Sequence, residues 1–325
     1  LSFVSFSGIL VLKRAKDVLP LERELTYIVP LQEDGLRLQT ILRQRLGFSA
    51  AQVKRLKQCG GILCNGQPAF ATRLAQAGDC ICCRLPQEAP SPHIQPVPGP
   101  VCIRYEDADL LVLDKAAGVP VHPSQGHFTD SLANHLAYVM EQRGTPFVFR
   151  AVNRLDRNTS GLLVVAKHAH AHSLLGQMLH SGAFHREYLA LVCGAVRPRQ
   201  GVVDAPILDV PGQLARRVDP GGARAVTHDE TLAEGGPYAL LRLWLETGRT
   251  HQIRVHMASI GHPLAGDFLY GTECRQILQG HALHASRICL RQPITGQAIQ
   301  VESPLPQPLA ALLPPSPALK ERQRL

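Results

Sequence analysis

Two arginines flank a single carboxylate in the polar run Asn153-Arg154-Leu155-Asp156-Arg157-Asn158-Thr159-Ser160-Gly161. In an extended chain alternate side chains share a face, so Arg154 and Asp156 point together while Leu155 turns away toward a core. A carboxylate beside arginines stays ionised, which suits a nucleophile or general base better than a general acid. An ion pair that only fixes a loop would use the same residues. A second segment, Arg186-Glu187-Tyr188-Leu189-Ala190, sets a tyrosine in an otherwise apolar strand. Such a tyrosine is either core or the flat wall beneath a base. The third segment runs from Thr247 to His256, and its Arg254 falls early in an amphipathic helix, where it can reach a buried carboxylate.

Metal chemistry has little support in these patterns. His251 and His256 are five apart, off the four-residue spacing of a zinc-binding HExxH helix. His168, His170 and His172 alternate across helix faces. The nearby cysteines Cys59, Cys64, Cys80, Cys82 and Cys83 lack a pair of CxxC knuckles. An odd total of nine cysteines in a 325-residue chain points to reduced thiols in a cytoplasm rather than a disulfide framework. There is no GxGxxG and no GxxxxGK[ST], so neither a nucleotide cofactor nor a metal is expected.

The elements that must position these segments are strands with a few helices. Strands are expected at Leu110–Leu113, Gly161–Ala166, Glu187–Val192, Tyr238–Leu245, His284–Leu290 and Ala298–Val301. Helices are expected at Ala169–His180 and Thr250–Ile260. Recurring hairpins make this a mixed, largely antiparallel α+β domain over residues 101–305. Residues 87–100 are proline-rich and read as a semi-rigid linker. At 45% hydrophobic and 18% charged the chain can bury a sizeable core, which excludes a disordered chain. No apolar run approaches the roughly 18 residues of a membrane span, and Leu1–Leu12 lacks the flanks of a signal peptide.

Most of the formal net charge of +8 sits ahead of the linker. Between Gly35 and Pro86 lie Arg37, Arg43, Arg45, Lys54, Arg55, Lys57, Arg73 and Arg84, against one acid, Asp79. A charge excess confined to a small module is a footprint for a polyanion, with nucleic acid the default partner. Leu36, Leu38, Ile41, Leu42 and Leu46 recur at helical spacing. Ser49 with Gln52 forms a capping box opening a second helix, and Asn65-Gly66 between short apolar runs signals a hairpin. Arg37, Arg43, Lys54, Arg55 and Lys57 are the expected RNA contacts. The order of helix, basic helix, Gly60-Gly61, strand and Asn-Gly turn resembles the S4 RNA-binding domain over residues 27–86. Residues 1–26 are then an N-terminal extension and 306–325 a C-terminal tail.

The large domain resembles the RluA-type family of RNA pseudouridine synthases. The matching segments are Leu113 to Pro123, Arg154-Leu155-Asp156 with Thr159 to Leu163, Thr247 to His256, Gly261-His262-Pro263 and Gly266 to Gly271. The resemblance implies a pseudouridine synthase fold behind a small S4-like α/β module. It implies Asp156 as the catalytic aspartate and Arg154 as the residue that fills the stack when uridine flips out. It also implies Tyr188 against the uracil, Ile253 as an apolar wall and Arg254 as the partner of Asp156. Asn153 stands where the family commonly has His, Asn158 where it has Asp, and Ala116 where it has Pro. The expected substrate is large-subunit ribosomal RNA, with transfer RNA second, acted on by a cytoplasmic monomer. The rival readings are a non-catalytic RNA-binding protein and a metal-dependent RNA hydrolase, which would need a ligand cluster.

Overall fold

The computed structural model describes residues 23–272 and 280–313. The Leu1–Leu12 stretch, Cys274 and the tail beyond Leu313 lie outside the described residues. The chain first forms a small module of β1 (Glu24–Ile28), α1 (Leu38–Gln44), α2 (Ala50–Gln58), β2 (Ile62–Cys64), β3 (Gln67–Pro68) and β4 (Cys80–Arg84). Its sheet has the order β1-β4-β2-β3, antiparallel throughout. Ser49 and Gln52 make the reciprocal capping box that opens α2. Asn65 and Gly66 both take positive φ, at 53° and 77°, the pairing that a tight hairpin turn requires. Leu38, Ile41, Leu42, Val53, Leu56 and Ile81 fill this module's core. Its first strand begins at Glu24, ahead of the expected boundary at residue 27, because Leu25 is buried opposite Cys83.

The large domain runs β5 (Cys102–Glu106), β6 (Leu110–Lys115), α3 (Leu132–Gln142), β7 (Ser160–Ala166), α4 (Ala169–Ser181), β8 (His185–Cys193) and β9 (Gln200–Asp204). It continues with β10 (Ile207–Leu208), β11 (Arg217–Val218), β12 (Val226–Gly235), β13 (Tyr238–Leu245), α5 (Gln252–Ser259), β14 (Leu283–Arg291), β15 (Ala298–Glu302) and α6 (Gln307–Ala310). Among the described residues nine of these strands form one sheet, ordered β5-β6-β7-β14-β8-β13-β12-β9 with β15 beside β14. Every pairing is antiparallel except β7 with β14. The mixed, largely antiparallel sheet with few helices is as expected.

That one parallel contact decides where the polar loop sits. β7 and β14 pair only at Ser160–His284 and Gly161–Ala285. Gly161 has φ of 101°, and a Cβ there would lie 2.2 Å from the Ala285 carbonyl oxygen. Only glycine allows so close a backbone approach, so the loop before it is anchored where β7 enters the sheet. One sheet face packs the largest core cluster, which includes Leu136, Leu163, Ala190, Leu241 and Met257. The other face packs Leu175 of α4 with Leu110, Val164 and Ile288.

The proline-rich stretch is no free spacer. Glu88 accepts ion pairs from Arg55 of the module and Arg150 of the large domain, both at 2.8 Å. Phe48 stacks on His170 of α4 at 3.9 Å, and Arg23 donates twice to buried Asp109, at 2.7 and 3.0 Å. These contacts dock the module on the N-terminal end of α4.

Candidate active site

A cavity of about 460 Å³ opens where the 153–159 loop, β8, the end of β13 and the start of α5 converge. Arg154, Asp156, Tyr188, Ile253 and Arg254 all line it. The alternation expected from an extended chain holds: Arg154 is exposed, Leu155 is buried in the core, and Asp156 is half-buried at the cavity wall. Tyr188 and Ile253 are almost fully buried and give the cavity its apolar lining. Gln252 pins the start of α5 by donating to the Val226 carbonyl and to Thr227 Oγ1. It also accepts from Thr247 Oγ1 and Arg249 N. The next two residues, Ile253 and Arg254, are thereby held in place.

Arg254 Nη1 donates to Asp156 Oδ2 at 3.0 Å, while its Nε and Nη2 fork onto Asp267 at 2.7 and 2.9 Å. The guanidinium also lies 5.0 Å from the Tyr270 ring centroid. Asp267 is fully buried, and burial pushes its carboxyl up. The Arg254 fork and the Leu269 N–H outweigh that and hold it below the usual carboxylate range. One buried cation thus serves two carboxylates, one locked in the core and one facing the cavity. A fork of this kind fixes orientation as well as charge.

His251 completes the cluster. Its Nε2 is 3.8 Å from Asp156 Oδ2, beyond hydrogen-bond length. Its Nδ1 lies 2.9 Å from the Tyr270 hydroxyl, which accepts from Arg216 N. Burial lowers the His251 pKa, so the ring is neutral near pH 7. The residue takes φ 58° and ψ 18° at the mouth of α5, a left-handed conformation that costs free energy in a non-glycine residue and tends to occur at functional sites. His281, pulled down to about 4 by burial, bonds Thr159 Oγ1 at 2.8 Å. Among the described residues no group of three or more His, Cys, Asp or Glu is arranged to hold a metal, and no helix is long and apolar enough to cross a membrane.

Residues 109–259 match the sequence profile of a family described as RNA pseudouridylate synthase. An RNA pseudouridine synthase of Bacillus subtilis (YhcT) is 37% identical over 287 residues, covering 87% of this chain and 94% of the relative. The chain belongs to the RNA pseudouridine synthase family. It is an isomerase acting on RNA. The ribosomal large subunit pseudouridine synthase D of Nitrosomonas europaea is 37% identical over 302 residues, covering 90% of this synthase and 88% of the relative. A solved structure, human RNA pseudouridylate synthase domain containing 1, superposes with a TM-score of 0.56 at 24% identity. It covers 70% of this chain and 96% of that one, a likeness of fold.

Several residues of the synthase site carried no assigned role in the sequence. Asp267 and Tyr270 lie within a quoted motif, yet only the fold brings them under Arg254. Lys115, within the quoted Leu113 to Pro123 segment, is another. Its ammonium group is buried and donates to the carbonyls of Ala116, Val119 and Arg157 at 2.9, 2.9 and 2.8 Å, joining the end of β6 to the Asp156 loop. Burial pulls its pKa down to about 7, with the Asp156 charge opposing the shift. Lys115→Met would take the shared buried donor from three carbonyls, so it is expected to destabilise the synthase by on the order of 3 kcal/mol, read as a lower urea midpoint.

Two departures from the family pattern have structural places. Buried Asn153 accepts from Val164 N at 2.9 Å and approaches the Leu162 carbonyl, tying the loop to β7. Asn158 lies against Gly280. The candidate RNA contacts of the module divide. Arg55 is engaged by Glu88, Lys57 reaches Gln39 Oε1 at 3.3 Å, and Arg43 lines a groove beside α4. Glu33 and Glu24, outside the stretch counted for charge, pair with Arg45 and Arg84.

Proposed function

We propose that this synthase converts uridines of large-subunit ribosomal RNA to pseudouridine, with Asp156 as the catalytic aspartate and the target base flipped out of its stack. The observation that carries the reading is Asp156 itself, facing a cavity lined by Tyr188 and Ile253 and gripped from behind by Arg254. The ribosomal target draws on relatives named ribosomal large subunit pseudouridine synthase D.

The isomerisation breaks the N1–C1′ bond, turns the uracil, joins C5 to C1′ and moves the C5 proton away, with no net gain or loss of atoms or electrons. A base cannot turn within a helix, so it leaves the stack first, at a cost of about a few kcal/mol. Arg154, exposed at the cavity mouth, is placed to fill the vacancy and offset part of that cost. Three steps are open to the Asp156 carboxylate: attack at C6, attack at C1′, or removal of a ribose proton to give a glycal. Each needs an ionised oxygen in a site closed to water, and the Tyr188 ring provides the flat apolar wall. The module of residues 24–84, S4-like in its order of elements, adds affinity through phosphate contacts that position RNA without reading sequence.

The test is a map of pseudouridines in total RNA from cells with and without the gene, complemented by wild type. Sites in large-subunit ribosomal RNA that vanish and return are the expected result. Loss confined to transfer RNA would overturn the substrate assignment, and no lost site would contradict activity on cellular RNA.

A further inference from the structure

Between the module and the large domain lies a groove of about 490 Å³. Its walls include Gln39, Thr40, Arg43, Gln44 and Ser49 from the module and Gln177 from α4. No acid lines it. The polar lining is one guanidinium among amides and two hydroxyls, beside Phe48, a set that suits phosphate and sugar oxygens. Lys57, held on Gln39 Oε1, adds a second cation at its edge.

The groove does not end at Gln177. Ser173, Gly176, Gln177 and His180 fall at i, i+3, i+4 and i+7 of α4 and so share one face. His180 and its neighbour Leu179 line the active-site cavity. Gln177 and His180 are separated by about 4.5 Å of helix rise. Groove and cavity are therefore neighbouring stretches of one surface, and Gly176 lies on the same face beside Gln177.

Gly176 is the second observation. It sits inside a helix of 13 residues, where glycine is destabilising relative to alanine. Among the described residues, a Cβ at this position would meet nothing within 4 Å beyond its own helix backbone and chain neighbours, and its φ is not in the positive range. Among the described residues neither a steric clash nor the backbone φ requires glycine here. A glycine admits the close approach of a ligand backbone, and the His180 imidazole is tethered here by its Nδ1, 2.6 Å from the Gly176 carbonyl oxygen.

We infer that the RNA strand flanking the target uridine lays its sugar-phosphate backbone through this groove and along the α4 face of Gly176, Gln177 and His180 into the cavity, making α4 part of the RNA-binding surface. The inference rests on the pseudouridine synthase reading and adds the route by which substrate reaches the site.

The test uses the full chain, a fluorescein-labelled 40-nucleotide RNA hairpin with a uridine-rich single-stranded arm, and ribosomal RNA from cells lacking the gene as turnover substrate. Gly176→Ala is expected to raise Tm by about 1–3 °C while weakening binding about fivefold or more, with the loss appearing in KM rather than kcat. Arg43→Gln is expected to reduce the slope of log affinity against log salt by about one. A more stable Gly176→Ala that binds RNA as tightly as wild type, together with an unchanged salt slope for Arg43→Gln, would overturn the route. That result would leave the activity reading standing. Absence of turnover by wild type on this RNA is a separate failure, of the activity reading, and the binding measurements still decide the route.

Discussion

Replacing Asp156 with Asn is expected to lower kcat by a factor on the order of 10⁴ or more while RNA binding stays within about threefold of wild type. The substitution keeps shape and leaves an amide oxygen to accept from Arg254 Nη1, which donates to Asp156 at 3.0 Å. What it removes is the negative charge and the nucleophilic or basic oxygen that all three candidate steps require. Asp156 is half-buried at a cavity wall and carries no part of the core, so the fold should persist. Single-turnover kinetics with tritium release from C5-labelled uridine, alongside direct binding, separates chemistry from affinity. Turnover within tenfold of wild type would remove Asp156 from the catalytic role.

The second large effect is on stability. Asp267→Ala leaves Arg254, almost fully buried, with the cavity-facing Asp156 as its remaining carboxylate among the described residues. It also strands the Leu269 and Tyr270 N–H groups that Asp267 Oδ1 accepts from. Breaking one side of a buried pair costs about 3–5 kcal/mol, because the remaining charge is uncompensated. A drop of that size in urea-unfolding stability is expected. The double variant Arg254→Met with Asp267→Leu should recover much of the stability and none of the activity, since an apolar pair fills the space without orienting Asp156. Equal activity of double variant and wild type would show that Arg254 only holds the core.

The acid behaviour follows from the same pair. The folded pKa of Asp267 lies below the ordinary carboxylate value, so its contribution is fully present above about pH 4 and is lost as pH falls through the folded value. Wild type and Asp267→Ala should therefore differ most near neutral pH and converge in strong acid, which urea midpoints measured across pH would check.

How much of this was legible in the chain divides along physical lines. Strands such as Tyr238–Leu245 and the helix beginning at Ala169 follow local apolar periodicity, and the Ser49–Gln52 capping box and Asn65-Gly66 turn follow from short-range backbone chemistry. The alternation of Arg154, Leu155 and Asp156 needed only an extended backbone. Helix α3 was less visible. Its capping partner for Ser131 is Asn134, outside the usual Glu or Gln signature. The charge count of the module also misled in part, because Glu24, Glu33 and Glu88 fall outside the basic stretch yet pair with its arginines.

The residues alone determined the element types, the largely antiparallel α+β class and a family resemblance strong enough to single out Asp156, Arg154, Tyr188, Ile253 and Arg254. Only the tertiary structure decided that Arg254 is shared by two carboxylates, that Lys115 binds the Asp156 loop from beneath, and that α4 carries one surface from the module's groove to the cavity. Periodicity reports what a residue's near neighbours permit. It is silent about partners such as Asp156 and Arg254, 98 positions apart in sequence, whose meeting depends on the parallel contact of β7 with β14 and on how α5 packs across the sheet.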